Sequence, residues 1–191
     1  MSSEGNKAMR RLVAWNLMTL DGYFEGESRW DLAFHETVWG DELHAFSLEQ
    51  GKEIGTLLFG RRTYEGMADY WTKATGEIAD MMNSIEKAVA TRTLDKATWN
   101  NTRLLKGEAA EAVRELKTQK GKDVYIFGSA DLLDSLLKAG LVDEYRICLA
   151  PVVLGRGNPL FKPQGQQIKM RLENTRPLKT GGVVLTYAVG G

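Results

Sequence analysis

Short apolar segments alternate with amphipathic helical segments along most of the chain, and this alternation limits the possible folds more than any other feature. Residues 56–59 and 123–127 (TLLF and DVYIF) have the largely apolar pattern of strands that are buried on both faces. Helical periodicity is clearest over residues 108–118 and 129–138. Strands that alternate with helices in this way predict an α/β protein with a mostly parallel central sheet.

The first and last strands complete this plan. A first strand is predicted over residues 11–20, with Asp21-Gly22 as the turn that follows it. Two final strands, over residues 168–174 and 183–189, have no helix between them. They therefore predict an antiparallel pair at the C-terminal edge of the sheet.

Other segments have less regular patterns. A helix is predicted over residues 35–50, although Gly40 weakens its middle. A long strand is predicted over residues 144–153. Residues 1–9 are expected to form a disordered leader and residues 10–190 a single domain, because a chain of 191 residues suits one domain.

Composition excludes several kinds of partner and site. The 25 Lys and Arg residues balance 25 Asp and Glu residues, so there is no surplus positive charge for nucleic acid or an anionic membrane. No segment approaches the roughly 20 apolar residues of a membrane span. The single cysteine, Cys148, excludes a disulfide framework and favours a reducing cytoplasm. The spacing of His35 and His44 matches no compact metal motif, so no metal site is predicted.

The residues that follow predicted strands are the first candidates for a ligand site. In open parallel sheets ligands bind beyond the carboxyl ends of the strands, where the strand order reverses. Gly60, Arg61, Arg62 and Thr63 follow one strand and begin a helix, whose amides and dipole attract anions. The two guanidinium groups suit a phosphate, or they are simply solvated or paired with Glu65.

Two other strand ends have similar chemistry. Backbone amides of Gly128, Ser129 and Ala130 could hold a pyrophosphate, or Ser129 is an ordinary helix N-cap. This segment lacks the spaced glycines of a Rossmann fingerprint. Thr91 and Arg92, after a further strand, could hold a ribose or its phosphate, or they belong to a plain polar loop.

Six short motifs occur together in one order. They are Leu20-Asp21-Gly22-Tyr23, Leu58-Phe59-Gly60-Arg61-Arg62-Thr63-Tyr64-Glu65, Ala90-Thr91-Arg92-Thr93, Ile126-Phe127-Gly128-Ser129, Gly140-Leu141-Val142-Asp143-Glu144 and Pro151-Val152-Val153-Leu154-Gly155-Arg156-Gly157. With them the chain, from about residue 10 to 189, resembles the dihydrofolate reductase-like superfamily. The resemblance is greatest to the reductase domain of riboflavin biosynthesis, the RibD C-terminal type.

The resemblance implies a dihydrofolate reductase-like three-layer sandwich, the cofactor NADPH and a homodimer. It implies that residues 60–63 meet the cofactor phosphates, that Thr91 and Arg92 lie near the adenosine 2′-phosphate, and that residues 128–130 hold the pyrophosphate. The implied substrate is a small heterocycle of the pteridine or pyrimidine-riboside type, such as 5-amino-6-(5-phosphoribosylamino)uracil. True dihydrofolate reduction and nucleotide binding without catalysis are the alternatives.

The chain departs from its relatives at two points. Folate-reducing members hold the pterin with an acidic residue on the first helix, in a local motif that is absent here. Four acidic residues lie in that region, and the sequence does not choose among them: Glu36, Asp41, Glu42 and Glu49. The H-x-E and P-C-x-x-C signature of a zinc deaminase is also absent, so deamination is excluded.

Asp21 is the leading candidate to contact the substrate or to direct its proton, because it follows the first strand directly. An Asp-Gly pair is equally an ordinary turn. His35 and His44 are possible acids, but both are interpreted as surface or helix-face residues. Four aromatic residues could stack on a flat heterocycle or belong to the core: Tyr23, Trp30, Trp39 and Tyr70. Cys148 lies within a predicted strand and is expected to be an inert buried thiol.

Overall fold

The computed structural model describes residues 9–165 and 167–190, which form ten strands, five α-helices and one 3-10 helix. The strands are β1 (Leu12–Thr19), β2 (Tyr23–Glu25), β3 (Ile54–Gly60), β4 (Glu86–Ala90), β5 (Thr102–Leu105), β6 (Asp123–Phe127), β7 (Glu144–Ala150), β8 (Asn158–Pro159), β9 (Met170–Pro177) and β10 (Val183–Val189). The helices are α1 (Asp41–Gly51), α2 (Arg61–Trp71), α3 (Glu77–Ser84), α4 (Ala109–Thr118) and α5 (Ala130–Lys138), and the 3-10 helix covers Ala33–Thr37.

Eight of these strands form the central sheet, in the order β5-β4-β3-β6-β1-β7-β10-β9. The pairs from β5 to β7 are parallel, whereas β10 is antiparallel to both of its neighbours, β7 and β9. The predicted mostly parallel sheet with an antiparallel C-terminal edge is therefore confirmed. Strands β2 and β8 form a separate small antiparallel pair.

Alternate side chains of the central strands enter two apolar layers. Val13 and Trp15 of β1 pack with α1, α2 and α3 on one face of the sheet. Leu12 and Ala14 pack with α4 and α5 on the other face. Helices thus cover both faces, which is the predicted three-layer arrangement. None of the helices in the described part of the chain is long and apolar enough to cross a membrane.

Several predicted boundaries were wrong. The helix predicted over residues 35–50 is divided, because Gly40 is extended and serves as the N-cap of α1. The strand predicted to reach residue 153 ends at Ala150, since Pro151 has no N–H for a sheet hydrogen bond. The strand predicted over 168–174 runs from Met170 to Pro177. The predicted leader lies outside the described residues except for its last residue, Met9.

The single cysteine occupies the position that the sequence predicted. Cys148 lies in β7 and is fully buried. Burial raises the pKa of its thiol to about 12. It is therefore protonated near neutral pH, and the expectation of an inert thiol agrees with this environment.

Candidate active site

The candidate site lies where two neighbouring strands send the chain to opposite faces of the sheet. Strand β3 leads into α2 on one face, whereas its neighbour β6 leads into α5 on the other. The strand that follows β3 in the chain is β4, which lies beside β3 on the side away from β6. The strand that follows β6 is β7, which lies on the opposite side, beyond β1. We call this place, between residues 60–63 and residues 128–130, the switch-point cleft, because ligands of α/β sheets bind at such reversals of strand order.

The floor of the cleft is a notch in the sheet beside β1. Pairing between β1 and β6 ends at Trp15 and Phe127. Pairing between β1 and β7 continues as far as Thr19 and Ala150. The last residues of β1, from Asn16 onward, therefore have no strand beside them on the β6 side over about 13 Å.

The two glycine turns that border the cleft are joined by one hydroxyl group. The N–H of Gly60 donates to Ser129 Oγ at 2.9 Å. Ser129 Oγ in turn donates to Thr63 Oγ1 at 2.7 Å. Segments that are more than 60 residues apart in the chain thus lie side by side, as the resemblance implied.

The turn at Gly128 and Ser129 has an uncommon backbone conformation. Both residues are left-handed, with φ of 60° and 58°. This conformation costs a serine about 1 kcal/mol, and such strain often occurs at functional sites. Ser129 makes no N-cap hydrogen bond with its side chain. Ser129 thus occupies the predicted N-cap position of α5, but its hydroxyl joins the two turns instead of capping the helix.

Not all of the predicted amide donors are free. The N–H of Gly60 is bonded to Ser129, and that of Gly128 donates to Asn16 Oδ1 at 3.0 Å. These two glycines shape the cleft but have no N–H to offer an anion. The N–H of Ser129 has no acceptor among the described residues. The first turns of α2 and α5 add N–H groups that lack partners within their helices.

The two adjacent arginines differ in their surroundings. Arg61 forms an ion pair with Glu65 at 2.8 Å and donates to Thr93 Oγ1 at 2.6 Å. Arg62 is exposed and has no ion pair or hydrogen bond among the described residues. Of the roles predicted for the two arginines, pairing with Glu65 is therefore observed for Arg61. Arg62 is the guanidinium that is available to a phosphate.

The segment after β4 is held by its own side chains. Thr91 is buried, and its Oγ1 accepts the N–H groups of Thr93 and Leu94. Arg92 forms an exposed ion pair with Glu108 at 2.6 Å. Thr91 thus shapes the loop that presents Thr93 to Arg61, and Arg92 points to the start of α4. Their predicted contact with an adenosine 2′-phosphate stays a prediction.

Asp21 connects the end of β1 to a distant loop. Its Oδ1 accepts hydrogen bonds from the Thr19 hydroxyl at 2.6 Å and from the N–H of Leu154 at 3.2 Å. Its Oδ2 accepts one from the N–H of Gly155 at 2.7 Å. The hydrogen bond from Thr19, followed by those from the backbone, lowers the pKa of this exposed carboxyl group. The geometry favours a positioning role for Asp21, and its predicted contact with substrate stays a prediction.

His35 lies in the 3-10 helix, in agreement with the predicted surface or helix-face position, but its ring is not fully exposed. Its ring is half-buried and lies edge-on to Phe34, with 4.7 Å between ring centroids. Burial lowers the pKa of the imidazole to about 4, so the ring is neutral at neutral pH.

Residues 9–165 and 167–190 contain no group of three or more His, Cys, Asp or Glu side chains that could hold a metal ion.

The acidic residues of the first helical region lie away from the switch-point cleft. Glu49 pairs with Arg176 of β9 at 2.9 Å, and Glu42 accepts the N–H of Lys179 at 2.6 Å. Both therefore face the β9–β10 end of the sheet. Glu36 and Asp41 are exposed. None of these four carboxylates is buried.

Trp30 packs against α2 in a way that the sequence did not indicate. It has a left-handed backbone, with φ of 65°, and its N–H donates to Glu25 Oε1 at 2.6 Å. Its indole lies against Gly66 in the middle of α2, where a Cβ atom would overlap the ring. The loop before residue 31 is therefore packed onto the helix whose first turn borders the cleft. Trp39 and Tyr70 instead lie edge-on to His44 and Trp71.

An open cavity of about 680 Å³ is lined by residues of this loop and by residues 156–158. Tyr23 is part of its wall, together with charged side chains of both signs. Two of these, Glu27 and Arg156, form an ion pair at 2.9 Å. The cavity is polar and adjoins the residues that follow β1.

We expect Gly66→Ala to destabilise the protein by about 1–3 kcal/mol, because the new methyl group displaces the Trp30 indole. In an ordinary helix the same change stabilises by about 1 kcal/mol. Urea unfolding with and without Trp30→Ala separates the two effects. Adding Gly66→Ala to Trp30→Ala should be stabilising, and a gain of stability in both backgrounds would show that Trp30 does not rest on α2.

Comparison with solved structures identifies the fold. A protein from Shewanella sp. PV-4, described as a riboflavin biosynthesis protein, superposes with a TM-score of 0.76 at 20% identity, over 95% of this chain and 99% of the other. A deaminase/5-amino-6-(5-phosphoribosylamino)uracil reductase from Thermotoga maritima gives 0.66 at 12% identity, over 95% of this chain and 57% of the other. Dihydrofolate reductase from Enterococcus faecalis, complexed with NADP(H), superposes with a TM-score of 0.62 at 16% identity. The match covers 95% of this chain and 97% of the reductase. The predicted dihydrofolate reductase-like fold is confirmed.

Sequence comparison identifies the family. The Bacillus subtilis (strain 168) protein YyaP, itself uncharacterised, is 31% identical over 194 residues, which represent 97% of this chain and 98% of YyaP. The model of the RibD C-terminal domain matches residues 10–184, from just before β1 into β10. The chain therefore belongs to the RibD C-terminal domain family.

Proposed function

We propose that this chain is an NADPH-dependent reductase of a small nitrogen heterocycle, of the pyrimidine-riboside or pteridine type. The observation that carries the proposal is the pair of glycine turns, joined through Ser129 at the switch-point cleft with the unpaired Arg62 beside them. The Thermotoga maritima neighbour is a reductase of such a riboside, and the Enterococcus faecalis neighbour binds NADP(H).

The residues present fit a dinucleotide phosphate. Arg62 and the first-turn amides of α2 would hold phosphate groups on one side of the cleft, the 2′-phosphate of NADPH among them. The N–H of Ser129 and the first-turn amides of α5 would hold the diphosphate on the other side. When bound, the cofactor supplies the hydride, and the protein supplies its orientation.

Proton delivery is the other requirement of a reduction. The pKa of Asp21 is lowered by its hydrogen bonds, so its carboxyl group has no proton to donate at neutral pH. The imidazole of His35 is neutral there, because its pKa is about 4. We therefore propose that water delivers the proton and that Asp21 holds residues 154–155 beside the cleft. A homodimer and a cytoplasmic location remain part of the proposal.

Cofactor binding tests the proposal directly. Arg62→Ala should weaken NADPH binding about 10- to 100-fold, because a charge-assisted hydrogen bond contributes about 1.5–3 kcal/mol. NADH, which lacks the 2′-phosphate, should lose much less. Arg61→Ala is the matched control, and its effect should be smaller since Glu65 already neutralises Arg61. Quenching of tryptophan fluorescence measures all six dissociation constants, those of NADPH and NADH for wild type and for both variants.

Three results would count against this function. An equal loss of NADPH and NADH affinity would remove the 2′-phosphate role from Arg62. Rapid turnover of dihydrofolate, inhibited by a folate analogue, would favour true dihydrofolate reduction. Tight NADPH binding without oxidation by the phosphoribosylaminouracil or pteridine substrates would favour a nucleotide-binding module.

A further inference from the structure

Asn16 is a buried amide at the notch in the sheet. It is 5% exposed and is the first residue of β1 beyond the last pair with β6. Its Oδ1 accepts the N–H of Gly128 at 3.0 Å. A backbone N–H can only donate, so the oxygen of the carboxamide must face Gly128 and the nitrogen must face elsewhere.

The nitrogen of this carboxamide has no partner. Asn16 Nδ2 is buried and makes no hydrogen bond within the described residues. A buried donor without an acceptor costs a protein about 1–3 kcal/mol, so such groups are uncommon unless a ligand completes them. The carboxamide is bonded to Gly128, and the N–H of the next residue, Ser129, also lacks an acceptor among the described residues. Two donors without partners thus belong to the turn that begins α5 and to the residue bonded to it.

The chemistry of these donors selects the ligand. The helix dipole of α5 favours negative charge at this end, and both donors require an oxygen acceptor. We propose that Asn16 is a cofactor-positioning residue whose Nδ2 donates to a diphosphate oxygen of the dinucleotide. This inference rests on the proposed function. Asn16 would then hold the cofactor with one end of its carboxamide and the Gly128 turn with the other.

Asn16→Asp separates these two roles. An aspartate keeps the acceptor for Gly128, but at pH 8.5 it replaces the donor by a charged oxygen that repels a diphosphate. We expect NADPH to bind at least about 10-fold more weakly to this variant. Binding of 2′-AMP, which has no diphosphate, should change less than about twofold. Calorimetry measures both ligands, and urea unfolding without ligand measures whether the turn stays folded.

A measurement on the unmodified protein covers the case in which Asn16→Asp does not fold. NADPH should shift the side-chain amide resonances of Asn16, identified by their absence from an Asn16→Ser spectrum, and 2′-AMP should not. Unchanged resonances in the NADPH complex, or equal NADPH affinity for Asn16→Asp and wild type, would overturn the inference. If Asn16→Asp instead loses affinity for NADPH and 2′-AMP to the same extent and is also less stable to urea, the inference is overturned as well. Asn16 would then only support the turn. If wild type does not bind NADPH, the proposed function itself fails.

Discussion

Replacing Ser129 by alanine is expected to lower the free energy of unfolding by about 2–3 kcal/mol and to weaken NADPH binding at the same time. The Ser129 hydroxyl accepts the N–H of Gly60 and donates to Thr63 Oγ1. Its removal leaves both partners without a hydrogen bond in a half-buried place, and each loss costs about 1 kcal/mol or more. The first turns of α2 and α5 would then no longer be held at a fixed separation.

Two variants show which part of the Ser129 contact matters. Thr63→Val keeps the bond from Gly60 and removes only the second one, so it should cost about half as much. Ser129→Gly loses both bonds but relieves the left-handed strain, and this should recover about 1 kcal/mol relative to Ser129→Ala. Urea unfolding gives the stabilities and fluorescence quenching the NADPH affinities. A Ser129→Ala protein within about 0.5 kcal/mol of wild type would show that the two turns do not depend on this hydroxyl.

The position of the cleft was predictable because it depends on local patterns and on topology. Apolar runs that end at Gly60 and Gly128 mark two parallel strands, and the carboxyl ends of neighbouring parallel strands meet at one edge. Only the hydrogen-bond partners were beyond such reasoning. Gly128 bonds to a residue 112 positions away, and no local periodicity specifies that contact.

The residues that the sequence did not reveal share one property. Asn16 interrupts an apolar strand, and Gly66 interrupts a helix, so each looks locally unfavourable. Their partners, Gly128 and Trp30, lie far away in the chain and supply the reason for each exception. A polar residue inside a predicted buried strand, or a glycine inside a predicted helix, is therefore the available signal for such a site.

Lys87 is a second polar residue in a buried strand, and it is fully inaccessible to solvent. Its Nζ donates to the carbonyl groups of Met82 and Asn83 at 3.2 and 2.9 Å, at the end of α3, and lies 4.5 Å from the centre of the Trp99 ring. No carboxylate of the described residues pairs with it. Burial lowers the pKa of the ammonium group to about 8.

This lowered pKa makes stability depend on pH in a defined direction. Below pH 8 the lysine is charged in both the folded and the unfolded chain. Between pH 8 and its ordinary pKa of 10.5 the folded protein releases the proton while the unfolded chain retains it. The unfolded state then binds more protons, so the contribution of Lys87 to stability rises with pH, by up to about 3 kcal/mol across this window.

Comparison with Lys87→Met isolates this contribution, because other buried groups titrate in the same range with the opposite sign. Burial raises the pKa of Cys148 to about 12 and also raises those of Tyr125 and Tyr145, so these groups lower stability as the pH rises above about 9. They are present in both proteins and cancel in the difference. Urea unfolding followed by tryptophan fluorescence should show the stability of wild type increasing relative to Lys87→Met between pH 7.5 and 10.5. A difference that stays constant or falls would mean that the two carbonyl groups and the ring stabilise the charged ammonium at least as well as water does.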